Sequence, residues 1–279
     1  MKIAVIILNF KVKNLILKCI ESVKQSTFKD LEIVVVDNSP QEGLGVLIDK
    51  DITYLPNENT GYTGGNNLGI KEALKGSTDY VFILNPDTEI EKDTIRILKE
   101  TAEKENAGII GSKILFSDKK TIWYAGGILD RNNVIGKHRG VDELDKGQYD
   151  SLSETDYVTG AALFASKEVF EKVGLFDEKY FLYYEDSDLS RRAKDAGFKV
   201  LYQPKAIVYH ENAQSTGLGS PLQDYFITRN RMLYASKFLP FRTRFALFRE
   251  ALRNLDKPMR RLALWDFLTG NFGKGSYSK

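Results

Sequence analysis

The stretch VFILNPDTEI, residues 81–90, decides the fold class of this chain. Four apolar residues run without interruption from Val81 to Leu84, and the chain then turns polar at Asn85, Pro86 and Asp87. A short apolar run that is bounded by proline and small polar residues is typical of a buried strand that ends at a loop. Strands buried on both faces indicate a parallel sheet, because helices cover both sides of such sheets.

The same pattern recurs through the first third of the chain and alternates with helical periodicity. The predicted strands cover residues 3–8, 31–36, 52–55 and 80–84, and the predicted helices cover residues 12–26, 65–74 and 93–105. This alternation predicts an α/β fold, with a mostly parallel central sheet flanked by helices.

The rest of the chain is less regular and ends in a helical region. Residues 108–116 and 158–165 are strand-like, and Gly, Asn and Asp are frequent over residues 123–140, which predicts hairpins or loops. Helices are predicted over residues 168–173 and 186–196.

Proline positions divide the carboxy-terminal third. Two short strands are predicted around Pro204, and the pattern from Leu222 to about Leu268 is helical, with breaks near Pro240 and Pro258. We expect one domain over residues 1–220, with halves that meet near residue 116, and a helical extension over residues 221–279.

Composition limits the class of protein. Apolar residues make up 42% of the chain and charged residues 28%, as in ordinary globular proteins. Cys19 is the only cysteine, which excludes an internal disulfide and fits a reducing compartment. The amino terminus, MKIAVIILNF, lacks a small-residue cleavage site, and we interpret it as a strand rather than a signal peptide. No apolar stretch is long enough to cross a bilayer, so we expect a cytoplasmic protein.

Polar residues follow four of the predicted strands: Asn9, the pair Asp37–Asn38, the segment 59–61 and the segment 85–87. Each alone is compatible with ordinary turn chemistry. In an open parallel sheet, however, ligands bind beyond the carboxyl ends of the strands. The four together therefore predict a binding cleft.

The segment NENTGYTGGNNLGI, residues 57–70, is rich in glycine. Gly61 and its neighbours permit close backbone approach, and Asn66 and Asn67 are expected to open a helix that suits phosphate or sugar hydroxyls. It is neither a dinucleotide fingerprint nor a phosphate-binding P-loop, because the required glycine spacing and lysine are absent from it.

Acidic residues crowd the start of a predicted helix in FLYYEDSDLSRRAKDAG, residues 181–197. Glu185, Asp186 and Asp188 suit the positive end of the helix dipole, which is a sufficient structural explanation. They also follow an aromatic run, and an acid beside apolar surface becomes a better base near neutral pH. His210, in AIVYHENAQST, residues 206–216, gains a functional meaning only if it faces Asp87.

Six segments in this order resemble an inverting family 2 glycosyltransferase with the GT-A fold. They are AVIILNF (4–10), EIVVVDNSP (32–40), NTGYTGGNNLGI (59–70), YVFILNPDTEI (80–90), VTGAALFASKEVFEKVGLFDEKYFLYYEDSDLSRRAKDAGFKV (158–200) and AIVYHE (206–211). Within that family the chain is most similar to bacterial rhamnosyltransferase-type enzymes, which use dTDP-rhamnose to build cell-surface polysaccharide. The resemblance covers about residues 3–210.

The resemblance implies a donor site for a dTDP- or UDP-sugar. Asp37 would hydrogen-bond the pyrimidine base, and Asn9 would line the same pocket. The further nucleotide- and donor-binding positions that it implies are Asn38, Gly61, Asn66, Asn67, Asn85 and Asp87.

The resemblance also implies a divalent cation, Mn²⁺ or Mg²⁺. Asp87 matches the last acid of the family's D-x-D motif, and His210 matches the histidine that completes the metal site. The chain departs from the pattern at Asn85, where many relatives have Asp. This departure implies that the metal depends more on the phosphates of the substrate.

For the reaction itself, the resemblance implies that Asp186 is the catalytic base of a single displacement with inversion. The acceptor would be a glycan or a lipid-linked glycan. The implied acceptor region comprises Trp123, Gly160, Glu185 and Arg229.

The helical extension is strongly basic: residues 221–279 contain 12 Lys and Arg against 4 Asp and Glu. Its arginines are interleaved with large apolar residues beyond Pro240, which is typical of an interfacial helix on anionic lipid. We therefore expect peripheral contact with the inner face of the cell membrane, with homodimerisation or packing on the core as competing explanations. The same interleaving disfavours nucleic acid.

Two further functions remain open at the level of sequence. Asn85 would suit a degenerate transferase that binds nucleotide sugar or glycan without catalysis, although Asp87, Asp186 and His210 are retained. A nucleotidyltransferase would normally carry a basic, glycine-rich loop after its first strand, where this chain has Asn9 and Phe10.

Overall fold

The computed structural model describes residues 1–211 and 219–277. Its strands, in chain order, are β1 (Lys2–Asn9), β2 (Leu31–Asp37), β3 (Thr53–Pro56), β4 (Thr78–Leu84), β5 (Thr88–Ile90), β6 (Ala107–Phe116), β7 (Ile122–Tyr124), β8 (Gly127–Asp130), β9 (Ile135–His138), β10 (Ser153–Glu154), β11 (Ala162–Ser166) and β12 (Lys199–His210). Its α-helices are α1 (Lys13–Lys24), α2 (Gly61–Ala73), α3 (Thr94–Glu105), α4 (Lys167–Val173), α5 (Glu185–Asp195), α6 (Pro221–Phe238), α7 (Phe241–Arg253) and α8 (Pro258–Thr269).

The central sheet has the strand order β10-β12-β6-β11-β4-β1-β2-β3. Parallel pairings join β1 to β2 and β4, β2 to β3, and β6 to β12, as the alternation of strands and helices predicts. The one antiparallel strand in the middle of the sheet is β11, which runs between β4 and β6. The mostly parallel α/β sheet predicted from the sequence is therefore confirmed.

Both faces of the sheet are buried, because successive residues of its strands point to opposite sides. On one side, Val5 and Ile7 of β1 pack with Ile16 and Cys19 of α1. On the other side, residues such as Ile6 of β1 pack in a second cluster with helices α2, α4 and α5. Cys19 lies fully inside the first cluster, and burial raises the pKa of its thiol to about 12, so it is a core residue and not a nucleophile.

Two element boundaries differ from the sequence-based expectation. Helix α2 begins at Gly61, four residues before the predicted start at residue 65, because Gly61 adopts a left-handed conformation (φ 77°) that starts the turn. The two strands predicted around Pro204 form one strand, β12, whose pairing with β6 shifts between Gln203 and Ile207. Proline is tolerated at such an irregularity because no ladder hydrogen bond is needed there.

The three carboxy-terminal helices begin and end close to the predicted proline breaks. They share a buried cluster to which α6 contributes Met232 and Leu233, α7 contributes Leu247 and α8 contributes Leu264. Tyr180, which precedes α5, is buried in the same cluster, so the helices pack directly on the segment that carries the acidic pair. Across the described residues, no helix combines the length and the apolarity that membrane crossing requires.

Candidate active site

The carboxyl ends of β1 and β2 form the first part of the site. The pairing of these strands places Asn9 opposite Asp37, and both side chains are fully buried. Asn9 Nδ2 donates to Asp37 Oδ1 at 2.9 Å, and the backbone N–H of Ser39 donates to the same oxygen at 3.0 Å. The other carboxylate oxygen accepts from the hydroxyl of Tyr54 at 2.7 Å. Asp37 is therefore held rigidly at the edge of the sheet.

A cavity of about 560 Å³ opens beside this network. Its lining includes Phe10, Lys11 and Asn38, from the loops after β1 and β2, and Asn57 from the loop after β3. Asn38 Nδ2 donates to the carbonyl of Gly61 at 3.1 Å, and Asn38 Oδ1 accepts from Asn57 at 2.8 Å. The cavity thus combines an aromatic ring, an ammonium group and amides, which suits a planar ring that carries an anionic group.

The sequence suggested that Asn66 and Asn67 open helix α2. In the structure they lie in its second turn and are buried. The amide of Asn67 donates to the carbonyl of Phe176 and to Glu178, each at 2.9 Å, and accepts from the backbone N–H of Phe176 at 3.0 Å. Asn67 therefore braces the segment before α5. Asn66 Nδ2 donates to the carbonyl of Tyr62 at 2.9 Å, which is a contact within the helix.

Asp87 and His210 come together through the pairing of β5 with β12, which places Thr88 opposite His210. His210 Nε2 lies 3.2 Å from Asp87 Oδ1, and both side chains are more than nine-tenths buried. His210 therefore faces Asp87, the condition that the sequence set for it. The rest of the AIVYHENAQST motif, residues 212–216, lies outside the described residues.

The donor set of this pair fits a divalent cation. The imidazole is close to the carboxylate but is not aligned for a hydrogen bond, and neither ring nitrogen of His210 has a hydrogen-bond partner among the described residues. A buried imidazole with free nitrogens beside a carboxylate is a combination that Mn²⁺ and related ions accept. Within residues 1–211 and 219–277, no group of three or more His, Cys, Asp or Glu side chains has a metal-binding arrangement.

Trp123, which the sequence assigns to the acceptor region, packs against the candidate metal site. Its ring centroid lies 4.6 Å from that of His210 and 4.3 Å from that of His138. Burial lowers the pKa of His138 to about 4, so this second histidine is neutral at physiological pH. Trp123 thus holds the ring of His210 from one side.

Glu185 and Asp186 begin α5 and face different environments. Asp186 is partly exposed; its Oδ2 accepts from the backbone N–H of Gly160 at 3.2 Å, and its Oδ1 accepts from that of Ser187 at 2.6 Å. Glu185 is buried, and its Oε2 has no hydrogen-bond partner in the described part of the chain.

Burial raises the pKa of both carboxyl groups. For Asp186 the loss of solvation outweighs the hydrogen bonds from Gly160 and Ser187, which act in the opposite direction. For Glu185 burial and the neighbouring charge of Asp186 raise the pKa well above its ordinary value. Glu185 therefore retains its proton more readily, and Asp186 is the member of the pair that is suited to accept one.

Gly160 links the acidic pair to its surroundings through its backbone. Its N–H reaches Asp186, its carbonyl accepts from the hydroxyl of Tyr62 at 2.7 Å, and a Cβ atom here would overlap that hydroxyl. The next carbonyl, that of Ala161, accepts from the backbone N–H of Asn85 at 3.0 Å. Two consecutive residues therefore join the acidic pair to the 85–87 loop.

Arg229 does not face a cleft, and its placement in the acceptor region is corrected. The side chain is fully buried and packs on the rings of Tyr225 and Phe226. Its guanidinium donates to the carbonyls of Lys179 and Tyr180 at 3.2 and 3.1 Å. Arg229 therefore supports the segment before α5 from behind.

The sequence did not identify Tyr54, Tyr62 and His138 as parts of the site. Their partners lie far away along the chain, so no local pattern marks them. Strand register provides a signal for Tyr54 alone, because β3 pairs with β2 so that Tyr54 lies opposite Val35, two residues before Asp37.

Comparison with known proteins agrees with this architecture. The family model described as glycosyl transferase family 2 matches residues 4–174. The chain is 31% identical to the low-salt glycan biosynthesis hexosyltransferase Agl10 of Haloferax volcanii, over 72% of this chain and 66% of that protein. It is 27% identical to the dTDP-rhamnosyl transferase RfbF of Shigella flexneri, over 74% of this chain and 71% of that protein.

A further relative is the N-acetylglucosaminyl-diphospho-decaprenol L-rhamnosyltransferase of Mycobacterium tuberculosis, which is 27% identical over 70% of this chain and 71% of that protein. Among solved structures, GalNAc-T7, crystallised with UDP, GalNAc and Mn²⁺, has the same fold with a TM-score of 0.64 and 17% identity. That similarity covers 81% of this chain and 48% of the crystallised one. The match to the family model spans more than half of the chain, and the chain therefore belongs to glycosyltransferase family 2 and has the GT-A fold.

Proposed function

We propose that this chain is an inverting, metal-dependent glycosyltransferase that moves a sugar from a nucleoside diphosphate to an acceptor hydroxyl. One observation carries the proposal: the segment Gly160–Ala161 hydrogen-bonds both Asp186 and the backbone of Asn85. A candidate base and a candidate metal loop, about a hundred residues apart in sequence, are therefore neighbours at the carboxyl edge of the sheet.

The donor nucleotide would occupy the cavity beside β1 and β2. Asn9 and Asp37 would orient the pyrimidine base through the network already described, while Asn38 and the backbone at Gly61 would line the nucleoside. Lys11 places a positive charge at the mouth of the cavity, where it would attract the anionic diphosphate. Asn66 and Asn67 would support this wall from behind, since their amides bind the protein itself.

Asp87 and His210 would hold a divalent cation, with Asn85 offering an oxygen but no charge. When bound, such an ion neutralises the charge that develops on a departing diphosphate. Mg²⁺ commonly takes only one or two protein carboxylates and completes its shell with phosphate oxygens and water. An imidazole in the set favours Mn²⁺ over Mg²⁺.

Asp186 would act as the general base. It would accept the proton of the acceptor hydroxyl as that oxygen bonds to the anomeric carbon and the bond to the diphosphate oxygen breaks. The attack comes from the face opposite the leaving group, so the configuration inverts in one step. Burial and the charge of Asp186 raise the pKa of Glu185 well above its ordinary value, so Glu185, in the proposed acceptor region, would compete less for the transferred proton.

For the substrates, we propose dTDP-rhamnose as donor and a lipid-linked glycan as acceptor, in cell-surface polysaccharide synthesis. Two relatives are named as rhamnosyltransferases, and the name of one includes a decaprenol-linked acceptor. The exposed apolar residues of α7 and α8, with the arginines between them, would place the cleft at the inner face of the membrane. Dimerisation through the same helices is the competing use of this surface.

A panel of nucleotide sugars, screened for thermal stabilisation with and without Mn²⁺, tests the proposal. A ligand at 100 times its Kd stabilises the folded state by about 2.7 kcal/mol. We expect dTDP-rhamnose to stabilise the chain only when Mn²⁺ is present, and to release dTDP on incubation with acceptor. Stabilisation without any nucleotide release would favour the non-catalytic alternative. Absence of stabilisation by every member of the panel would contradict both.

A further inference from the structure

The segment that leads into the acidic pair, Lys179–Tyr184, has an unusual backbone. Three of its residues, Phe181, Tyr183 and Tyr184, have positive φ angles of 64°, 69° and 74°. Residues with large side chains rarely adopt this region, and they persist in it only where the surrounding structure holds them. Tyr184 is also the residue that caps α5, so this backbone sets the direction in which Glu185 and Asp186 emerge.

Two side chains of α6 bind the carbonyls that this backbone exposes. Asn230 Nδ2 lies 2.9, 2.8 and 2.9 Å from the carbonyl oxygens of Tyr180, Leu182 and Tyr183. Its neighbour Arg229 donates to the carbonyls of Lys179 and Tyr180. Both side chains are fully buried, so water does not compete for these acceptors.

The opposite side of the segment is fixed to α2. The carbonyl of Phe181 accepts from the backbone N–H groups of Tyr62 and Thr63, at 2.8 and 3.2 Å, at the first turn of that helix. Gly61 lies so close beneath Phe181 that a Cβ atom would approach the ring to 2.5 Å. The segment is therefore held between α6 and the first turn of α2, which follows the loop that lines the candidate donor cavity.

Arg229 is anchored in turn to the end of the chain. Its Nη1 donates to the hydroxyl of Tyr225, and that hydroxyl donates to Asp266 of α8. Asp266 also accepts from the backbone N–H and the hydroxyl of Ser276, at 2.7 and 2.8 Å. Burial lowers the pKa of Arg229, while Tyr225 and Asp266 favour its charged form. The carboxy-terminal helices thus connect to the acidic pair through one buried polar network.

We propose that Arg229 and Asn230 are positioning residues, which hold the 179–184 segment in its strained conformation and so place Asp186 for catalysis. The catalytic part rests on the proposed function, in which Asp186 is the base. The role of Arg229 and Asn230 in holding the segment does not depend on the proposed function. Neither residue touches a substrate in this account; both act through the backbone that they bind.

Hydrogen exchange of the full chain tests the positioning role without knowledge of the donor. We expect Asn230→Ala to speed the exchange of backbone amides in residues 179–188 by about tenfold or more, with little change in β1, β2 and β4. The matched control is Asp224→Asn, on the same helix. This change removes the negative charge from the 2.8 Å contact between Asp224 and Arg260 of α8 and leaves the carbonyl contacts intact. The inference would be overturned if the exchange rate of residues 179–188 were unchanged in Asn230→Ala. It would also be overturned if the control raised that rate equally.

Arg229→Lys provides a second variant if Asn230→Ala does not fold. Lysine keeps the charge and presents its N–H donors on a single nitrogen, so we expect a smaller rise in exchange than for Arg229→Met. Equal exchange in the two Arg229 variants and the unmodified chain would also overturn the inference.

Turnover separates positioning from general stability. The probes are dTDP-rhamnose and UDP-glucose, with release of dTDP or UDP measured in the presence of Mn²⁺. We expect Asn230→Ala to lower kcat at least tenfold with less than a threefold change in the Kd of the nucleotide. We also expect it to move the acid limb of the pH profile to lower pH, because Asp186 becomes more solvated. Full turnover in Asn230→Ala, while Asp186→Asn is inactive, would refute positioning alone. Full turnover in Asp186→Asn would instead refute the proposed base.

Discussion

At the scale of single residues, the 85–87 loop carries one charged side chain, that of Asp87. Asn85 offers a neutral oxygen beside Asp87, so the protein brings a single carboxylate and an imidazole to the proposed ion. The number of charged ligands is a main determinant of affinity for hard cations. The affinity of this site for metal should therefore depend on the diphosphate that arrives with it.

Asn85→Asp tests this account of the loop. We expect the added carboxylate to tighten binding of Mn²⁺ by about tenfold, or ~1.4 kcal/mol, and to make it less dependent on nucleotide. Calorimetric titration of Mn²⁺ with and without dTDP measures both effects. An unchanged affinity for Mn²⁺ would show that residue 85 lies outside the ion's surroundings.

The acidic pair predicts a dependence of stability on pH. The pKa of Glu185 is raised in the folded state, so its contribution to stability is fully present below its unfolded pKa and is lost as the pH rises through the folded value. Glu185→Gln removes this loss, at about 1.4 kcal/mol for each unit by which the pKa is raised.

Urea unfolding at pH 5 and pH 8.5 measures the difference between the two proteins. We expect the stability of Glu185→Gln relative to the unmodified chain to be greater at pH 8.5 than at pH 5. A difference that is independent of pH would contradict a raised pKa at this position.

At the scale of elements, the sequence predicted the features that depend on local pattern and missed those that depend on tertiary contacts. Continuous apolar runs and helical periodicity were sufficient to locate the strands and helices of the first third, because both signals are local. The start of α2 was not predictable, because it depends on the contact of Gly61 with Phe181, 120 residues away. The antiparallel direction of β11 was also unpredictable. It arises because the chain enters β11 from the carboxyl end of the sheet, the end at which β6 also finishes.

Gly61→Ala tests the contact that begins α2. The left-handed φ costs about 1–2 kcal/mol for a residue with a Cβ atom, and the overlap with Phe181 adds to it. We expect the free energy of unfolding to fall by ~2 kcal/mol or more. The matched control is Gly76→Ala, just beyond the same helix, where the new Cβ would meet its nearest neighbour at an ordinary 3.6 Å. Equal stability of the two variants would contradict the close packing at Gly61.

At the scale of the whole molecule, the sequence predicted individual residues of the candidate site better than the tertiary contacts between them. The pairing of Asp87 with His210 was implied by the resemblance to family 2 glycosyltransferases, and the pairing of β5 with β12 brings the two side chains together. The burial of Arg229 could not be predicted from the sequence, because a basic residue among aromatic ones fits an exposed helix face equally well. Only the packing of α6 on the segment before α5 reveals that its guanidinium binds backbone carbonyls.

The carboxy-terminal helices have two faces with different expected roles. Their inner face holds the buried network, while Phe241 and Trp265 are 74% and 64% exposed. We expect Phe241→Ser with Trp265→Ser to reduce sedimentation with anionic vesicles at least fivefold, because lost apolar burial weakens interfacial binding. The control is sedimentation with neutral vesicles, which should be weak throughout. Unchanged sedimentation together with a loss of dimer would favour the competing role.

If Asp186 is the base of a glycosyl transfer at this edge of the sheet, replacing it by asparagine should stop catalysis and spare nucleotide binding. Asp186→Asn keeps the size of the side chain and removes the proton acceptor. Turnover of nucleotide sugar and the Kd of dTDP with Mn²⁺ are measured for both proteins. We expect kcat to fall by about 10²- to 10⁴-fold, with a nearly unchanged Kd. Full turnover by Asp186→Asn would contradict the assignment of Asp186 as the base.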